Sequence, residues 1–301
     1  MRKVVLFSLT FVLITVSIPS TFASRNGIER AYNTFTVGMT FENSSVPEIC
    51  SGTLISPTFV MTVAHCVVNM DGNKHTNFLF TKPGMAFDAP INLATQPKIL
   101  KTYIPQEFFN PKITEEYDVA FIQLDRPLAT RGYIRMATVA DIMKLSSKIN
   151  ANGYGYGSVF ETSELYSQYA REYQLIWQKP QNINMLAATI MTSDISVACS
   201  GDSGGPITTI LPTGEEVVIG ALHSAAYVVD RCGTTAADGL FYMQVTLANK
   251  FISIIHSELK KSLTISKVYK ITCLKGTTKK YVTGTNPKCP AGYKKVASVQ
   301  I

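Results

Sequence analysis

Short apolar runs separated by turn residues dominate the chain between residues 31 and 251. Turns are indicated at Asp71-Gly72-Asn73, at Lys82-Pro83-Gly84, at Asn152-Gly153 and at Pro212-Thr213-Gly214. Strands are therefore predicted at 51–55, 59–63, 119–124, 207–210, 217–222 and 240–245. Many short strands with no strand–helix alternation are typical of an all-β barrel or sandwich.

The pattern changes near the end of this region. Leu247, Phe251, Ile254, Ile255 and Leu259 recur at three- and four-residue spacing with polar residues between them. This spacing predicts an amphipathic helix over 246–261 that begins at Thr246 and packs on the surface of the main domain.

Residues 262–301 read as a separate module. We expect a linker over 262–266, followed by a hairpin bracketed by Cys273 and Cys289. Forty residues can hardly bury a core of their own, so a disulfide between these cysteines would stabilise the module.

The positive charge of the chain belongs to this module. The net charge is +7, from 28 basic and 21 acidic residues. Eight of the basic residues are the lysines at 267, 270, 275, 279, 280, 288, 294 and 295. The module has no acid, so residues 1–261 carry 20 basic and 21 acidic groups, a balance of −1. This balance gives no support to nucleic-acid binding by the main domain.

The first residues resemble a targeting segment. Arg2 and Lys3 precede an apolar stretch over 4–18, and Thr21-Phe22-Ala23 offers the small residues that a signal peptidase recognises. The stretch is shorter than the roughly 20 residues of a membrane-spanning helix. We therefore predict a signal peptide over 1–23 and a secreted, extracellular protein; the alternative is an uncleaved anchor.

Six cysteines agree with export, because disulfides persist in oxidising compartments. The sequence contains no Cys-x-x-Cys pair, so a structural zinc site is not expected. Spacing alone does not choose among the possible pairings of six cysteines.

Three segments carry candidate chemistry. Residues 199–206 read Cys-Ser-Gly-Asp-Ser-Gly-Gly-Pro, in which glycines allow sharp turns around Ser203. His65 ends the run Thr-Val-Ala-His-Cys, beside a cysteine. Asp118 opens an apolar strand, where a buried carboxylate needs a hydrogen-bonded partner. A serine nucleophile needs a base, an orienting group and oxyanion donors, and these segments offer all of them.

Together these segments resemble the chymotrypsin/trypsin family of serine proteases over roughly residues 24–258. The resemblance implies two packed six-stranded antiparallel β-barrels with a C-terminal helix, and a catalytic triad of Ser203, His65 and Asp118 in the cleft. It also implies an oxyanion hole formed by the amides of Gly201 and Ser203. No cofactor and no metal are expected.

Three disulfides are expected in all. Two follow from the family, Cys50–Cys66 and Cys199–Cys232, and the remaining pair is Cys273–Cys289. The expected domains are the signal peptide over 1–23, a protease domain over 24–261, and the basic module over 262–301. That module is similar to short lysine-rich modules at the ends of some secreted bacterial proteins.

The chain departs from the family at the specificity pocket. Val197, followed by Ala198, stands where trypsin-like members have an aspartate, which predicts cleavage after an apolar or small residue. The pocket wall would contain His223, Ser224 and Ala225, with either His223 or Ser224 near Asp118 or the substrate. Asp238 could reverse this preference, and a histidine in the pocket could instead favour acidic substrates.

Activation also departs from the family, because the usual Ile-Val-Gly-Gly is absent. In many members a new N-terminal amine pairs with the aspartate before the nucleophile, here Asp202. Signal removal after Ala23 would expose the amine of Ser24 for this role; a start at Ala31 would indicate a propeptide.

We therefore expect a secreted serine endopeptidase that acts on protein or peptide substrates. The alternatives are a non-catalytic binding protein with the same fold and an esterase with the same triad. The basic module could contact an anionic cell surface, or it could simply be a solvated tail.

Overall fold

The structure is a computed structural model, and most of its elements are strands. It describes residues 27–41, 49–68, 78–87, 93–110, 117–129, 132–158, 167–179, 187–192, 198–226, 242–246, 252–265, 269–284 and 288–300. The predicted signal peptide and the predicted turn at residues 71–73 lie outside these ranges. Within these ranges the all-β class is confirmed by sixteen strands, against two α-helices and three short 3₁₀ turns.

The first half of the main domain is a six-stranded antiparallel sheet. Its strands are β2 (Thr36–Phe41), β3 (Ile49–Ser56), β4 (Phe59–Thr62), β5 (Phe78–Thr81), β6 (Ile99–Tyr103) and β7 (Ala120–Leu124). They lie in the order β5-β2-β3-β4-β7-β6, so the sheet curls around a core that includes Leu54, Phe59 and Phe121. All eight residues of β3 are buried, because this central strand is covered on both faces.

The second half is a seven-stranded sheet. Its strands are β1 (Ile28–Glu29), β8 (Lys148–Gly155), β9 (Arg171–Gln178), β10 (Ala187–Thr192), β11 (Pro206–Ile210), β12 (Glu216–Ala226) and β13 (Tyr242–Thr246). The order is β1-β9-β10-β13-β12-β11-β8, and β8, the last strand of this order, also pairs with β9, the second. Tyr173, Leu175 and Trp177 alternate inward from β9, as the two-residue period of a strand requires.

One predicted turn lies inside a strand. Asn152 and Gly153 belong to β8, where Gly153 opposes Tyr173. A Cβ atom on Gly153 would collide with the ring of Tyr173. The glycine therefore makes room for an aromatic ring across the sheet, and the prediction of a turn there was wrong.

The C-terminal helix α2 is present, but it begins and ends later than predicted. It spans Ile252–Ile265, and Thr246 is instead the last residue of β13. Ser262, expected in a linker, is buried in α2, and its hydroxyl lies 2.7 Å from the hydroxyl of Ser56. The helix continues because this serine docks it onto the first half. A second helix, α1 (Val139–Lys144), was not predicted; a capping box between Thr138 and Asp141 begins it.

The basic module forms a three-stranded antiparallel sheet. Its strands are β14 (Tyr269–Lys275), β15 (Thr278–Gly284) and β16 (Lys294–Gln300), in the order β15-β14-β16. β14 and β15 form the hairpin that we expected in this region, and β16 extends it. Ile271 and Cys273 are fully buried, and Cys273 is bonded to Cys289. Neither α-helix in the described part of the chain is long and apolar enough to cross a membrane.

Candidate active site

His65 lies in a short 3₁₀ turn, Ala64–Cys66, immediately after β4. A disulfide joins Cys66 to Cys50 in the neighbouring strand β3 and so fixes this turn to the sheet. Ala64 and Cys66 are buried, whereas the side chain of His65 keeps 43% of its surface exposed. The turn therefore presents an imidazole to solvent from a rigid support.

Asp118 reaches the same place from β7. β4 and β7 are paired, with Thr62 opposite Ala120, so the ends of the two strands meet. The residue is 1% exposed, and its carboxylate accepts the backbone N–H of His65 at 2.8 Å through Oδ1. Its Oδ2 lies 2.6 Å from Nδ1 of His65. One carboxylate thus holds both the backbone and the ring of the histidine.

A second histidine reaches the same oxygen. The register between β12 and β13 shifts between Leu222 and Ser224, and His223 lies at this irregularity. Such bulges re-aim side chains. Here Nε2 of His223 lies 3.0 Å from Oδ2 of Asp118, and its ring centroid is 6.0 Å from that of His65. The sequence left open whether His223 or Ser224 approaches Asp118; the bulge places His223 there.

These contacts decide the charge of Asp118. Burial alone would raise the pKa of this carboxyl group. Hydrogen bonds from His223 and His65, with a further electrostatic contribution from both rings, outweigh burial and hold the pKa of Asp118 well below its usual range. Asp118 is therefore an ionised acceptor throughout the neutral pH range.

Ser203 enters from the second half, in the loop that precedes β11. Its carbonyl oxygen accepts the backbone N–H of Ser51 at 2.8 Å and lies 3.8 Å from Sγ of Cys66. The next residue, Gly204, donates its N–H to the carbonyl of Leu222 at 2.8 Å. Ser203 is thus held between Cys66 and Leu222, the chain neighbours of His65 and His223.

Two glycines give this loop its shape. Gly201 has a φ of 95° and Gly204 a φ of 82°, in the region that only glycine adopts readily. A Cβ atom on Gly204 would also collide with Thr62. The carbonyl of Gly201 accepts the hydroxyl of Ser51 at 2.8 Å, which fixes the loop to β3. Only the glycines of the motif permit this close approach.

Asp202 is fully buried, and its carboxylate binds backbone amides of the second half. Its Oδ1 accepts the backbone N–H of Gly157 at 2.8 Å, and its Oδ2 accepts that of Cys199 at 2.7 Å. Ser24, whose amine was the predicted partner, lies outside the described residues. Gly155 and Gly157 both face the carboxylate so closely that a Cβ atom on either would collide with it.

The predicted specificity pocket is only partly described. Ala198 is buried, and His223 contacts Asp118 as given above. The backbones of Ser224 and Ala225 lie in β12. Val197 and Asp238 lie outside the described residues, as does Cys232, the predicted partner of Cys199. Cys199 itself is disulfide-bonded.

His65, Asp118 and His223 together have the side-chain types and the spacing that could bind a metal ion. The ligand atoms of His65, Asp118 and His223 lie within 4.8 Å of one another. They already contact each other at hydrogen-bond distances of 2.6 Å and 3.0 Å, as an acid–base site requires. Cys50 and Cys66, which also lie close to His65, are committed to their disulfide.

Sequence reasoning missed two parts of this region. It did not identify Arg171, a buried arginine at the start of β9, and it did not predict the glycine cradle of Gly155 and Gly157 around Asp202. The sequence Gly-Tyr-Gly-Tyr-Gly over residues 153–157 is the signal that could have indicated close backbone packing.

Comparison with known proteins agrees with this geometry. The chain is 30% identical over 181 residues to the suppressor of tumorigenicity 14 protein homolog of Bos taurus, which covers 54% of this chain and 20% of that protein. It is 26% identical over 193 residues to the clotting factor G beta subunit of Tachypleus tridentatus, covering 57% and 60%. It is 25% identical over 201 residues to coagulation factor IX of Oryctolagus cuniculus, covering 59% and 70%.

The matched region is thus less than two thirds of the length of the first two of these relatives. The family model described as Trypsin matches residues 25–252, which is most of the chain. With this match, the chain belongs to the trypsin family.

Proposed function

We propose that this protein is a serine endopeptidase in which Ser203 is the nucleophile, His65 the general base and Asp118 the orienting carboxylate. The observation that carries the proposal is the contact of 2.6 Å between Nδ1 of His65 and the buried carboxylate of Asp118. A histidine whose Nδ1 is held in this way can use Nε2 as the base that a serine hydroxyl needs.

The reaction would run in two halves. Ser203 Oγ bonds to the substrate carbonyl carbon while its proton passes to Nε2 of His65. The C–N bond then breaks, and His65 gives that proton to the leaving amine, which leaves an ester on Ser203. Water then bonds to the ester carbon while its proton passes to His65, the bond from that carbon to Ser203 Oγ breaks, and His65 returns the proton to Oγ. The ionised Asp118 stabilises the imidazolium in both halves, because its pKa is held low.

The developing oxyanion would be bound by the amides of Gly201 and Ser203. The left-handed backbone of Gly201 and the anchors from Ser51 fix this part of the loop before substrate arrives. Donors that are already in place cost no reorganisation at the transition state. We infer that the two sheets correspond to the two barrels of the family, with the site between them.

For specificity we propose an apolar or small residue before the cleaved bond. Val197 offers no counter-charge for a buried lysine or arginine side chain. The acidic alternative is weaker than it was from sequence alone, because Nε2 of His223 already faces Asp118 at 3.0 Å. Peptides that differ only at this residue test the proposal; preferential cleavage after arginine or lysine contradicts it.

For the basic module we propose contact with an anionic surface after secretion. Cross-strand pairing places Lys279 and Lys294 on the same face as Leu274, and both lysines are exposed. A charge cluster of this kind attracts anionic polymers at low salt. Deletion of residues 269–301, which leaves helix α2 intact, should release the protein from anionic vesicles at low salt; unchanged retention contradicts the proposal.

The central experiment is labelling with a fluorophosphonate. The wild type should be labelled at Ser203 and should hydrolyse peptide amides, and Ser203→Ala should lose about 10⁴-fold or more in kcat. Ser200→Ala is the matched control, because Ser200 is exposed in the same loop. Folded wild type without labelling would favour a binding protein, and cleavage of esters without amides would favour an esterase.

A further inference from the structure

Arg171 is a buried cation that the proposed mechanism does not use. The residue is 6% exposed at the start of β9. Its Nη1 donates to the carbonyl of Gly27 at 2.7 Å, and its Nε donates to the hydroxyl of Ser167 at 3.2 Å. Nη2 lies 3.5 Å from the carboxylate of Glu29. A buried guanidinium needs opposite charge nearby, and Glu29 is itself largely exposed.

The carboxylate of Asp202 lies on the same side of the sheet. Arg171 is directly opposite Gly155 in the pairing of β8 with β9. Residues directly opposite each other point to the same face. A Cβ atom on Gly155 would collide with Oδ1 of Asp202. The carboxylate therefore occupies the space that Gly155 leaves open beside Arg171.

A short chain of hydrogen bonds also links the two groups. The N–H of Gly157 donates to Oδ1 of Asp202, and the carbonyl of Gly157 accepts the N–H of Ser167 at 3.2 Å. The hydroxyl of Ser167 accepts from Arg171. Movement of the guanidinium would thus be transmitted to the backbone that holds Asp202, and from there to Gly201 and Ser203.

We propose that Arg171 is a positioning residue that supplies a permanent positive charge to Asp202 and so holds the oxyanion loop, in place of an N-terminal amine. This inference rests on the proposed endopeptidase function. Burial lowers the pKa of Arg171, and the carboxylates of Glu29 and Asp202 act against that lowering. An arginine remains charged wherever the enzyme can be assayed, whereas an α-amine loses its proton near pH 8.

The pH dependence of activity distinguishes these two cations. We expect kcat/KM of the wild type to stay level from neutral pH to about pH 10, because the guanidinium does not titrate there. Carbamylation of the N-terminal amine with cyanate at neutral pH should leave activity unchanged. A loss of activity between about pH 8 and pH 10, where an amine paired with a carboxylate would lose its proton, together with inactivation by cyanate, would overturn the proposal.

Variants at Arg171 give the second test. Arg171→Gln should lower kcat/KM about 100-fold at neutral pH, the loss expected when an oxyanion donor is displaced. Arg171→Lys should retain activity at neutral pH and lose it at alkaline pH, because a buried lysine deprotonates below its usual range. A merely structural role would not create an alkaline limb in the lysine variant.

Controls separate this inference from the proposed function. Arg30→Gln is the matched control. Arg30 binds Glu172, the residue next to Arg171 in β9, but the side chain of Arg30 is 44% exposed. If Arg171→Gln does not fold, as measured by circular dichroism, the lysine variant decides the question. A wild type without hydrolysis or labelling rejects the proposed function and this inference with it. An active wild type with an equally active Arg171→Gln rejects the role of Arg171 alone.

Discussion

Two buried aspartates, one in each half of the molecule, have different kinds of hydrogen-bond partner. Asp118, beside the first sheet, accepts one backbone amide and lies within 3.0 Å of two imidazole nitrogens. Asp202, in the loop before β11, accepts two backbone amides and lies on the same face as Arg171. The partners of the first include imidazoles, which serve as general acids and bases in proteins, whereas those of the second are amides and a guanidinium, which do not.

This difference implies two roles, proton transfer at Asp118 and backbone geometry at Asp202. A carboxylate among imidazoles can stabilise a proton that moves during each turnover. A carboxylate among amides and a permanent cation is a fixed point that shapes the backbone around it. The pH dependence of this protein should therefore originate at Asp118, and the shape of its oxyanion loop at Asp202.

The largest expected effect is on Asp118. Asp118→Asn should lower kcat by about 10⁴-fold, because a neutral amide cannot stabilise the imidazolium of His65. Peptide hydrolysis at neutral pH measures it. Asp125→Asn is the control, since Asp125 follows the other end of β7 and is more exposed. Equal activity of the two variants would contradict the role of Asp118.

Displacement of the Asp202 carboxylate should lower kcat less than Asp118→Asn does. Gly155→Ala adds a methyl group that collides with its carboxylate, and misplacement of the loop should lower kcat by about 10- to 100-fold. Gly214→Ala is the control, because Gly214 also has a positive φ but an added Cβ meets nothing within 4 Å. If both variants retain full activity, the carboxylate does not set the loop geometry.

The third effect is on stability and depends on pH. His223→Ala removes a hydrogen bond that lowers the pKa of Asp118, which should reduce stability by about 1–3 kcal/mol at neutral pH. Asp118 is ionised more easily in the folded state. Its contribution is therefore present above the unfolded pKa, about 3.9, and is lost as pH falls below it.

The difference between wild type and His223→Ala should accordingly narrow on acidification. Urea unfolding at about pH 7 and about pH 3 measures this change. His256→Ala, an exposed histidine on α2, should match the wild type at both values. A difference that is the same at both pH values would show that His223 acts by packing alone.

The smallest expected effect is on stability alone and comes from a substitution that contacts neither carboxylate. Ser262→Ala removes the hydroxyl that contacts Ser56 and Thr58 and should cost about 1 kcal/mol of stability with no change in kcat. Ser257→Ala, exposed on the same helix, is the control. A loss of activity in Ser262→Ala would mean that helix docking reaches the site, and the two halves would not be separable.

The parts of the site that the sequence revealed are those carried by local motifs. The residues around His65, Asp118 and Ser203 have fixed local neighbours, and the family match bears out the resemblance that these motifs indicated. Most predicted strands lie within one or two residues of the observed ones, because their boundaries depend on local turn residues and apolar runs.

The predictions were wrong where the role of a residue depends on a contact with a residue far away in the sequence. Gly153 resembled a turn residue because the ring of Tyr173 that explains it lies across the sheet. Ser262 resembled a linker residue because its hydroxyl partners are about 200 positions away, at Ser56 and Thr58. Local polarity carries no information about such contacts.

The sequence by itself determined the all-β class, the family and the residue types that the chemistry needs, because each depends on neighbours within a few positions. Only the tertiary structure decided that the bulge in β12 brings His223 to Asp118 and that Arg171 shares a face with Asp202. Strand register determines both arrangements, and register is set by packing between segments far apart in the chain.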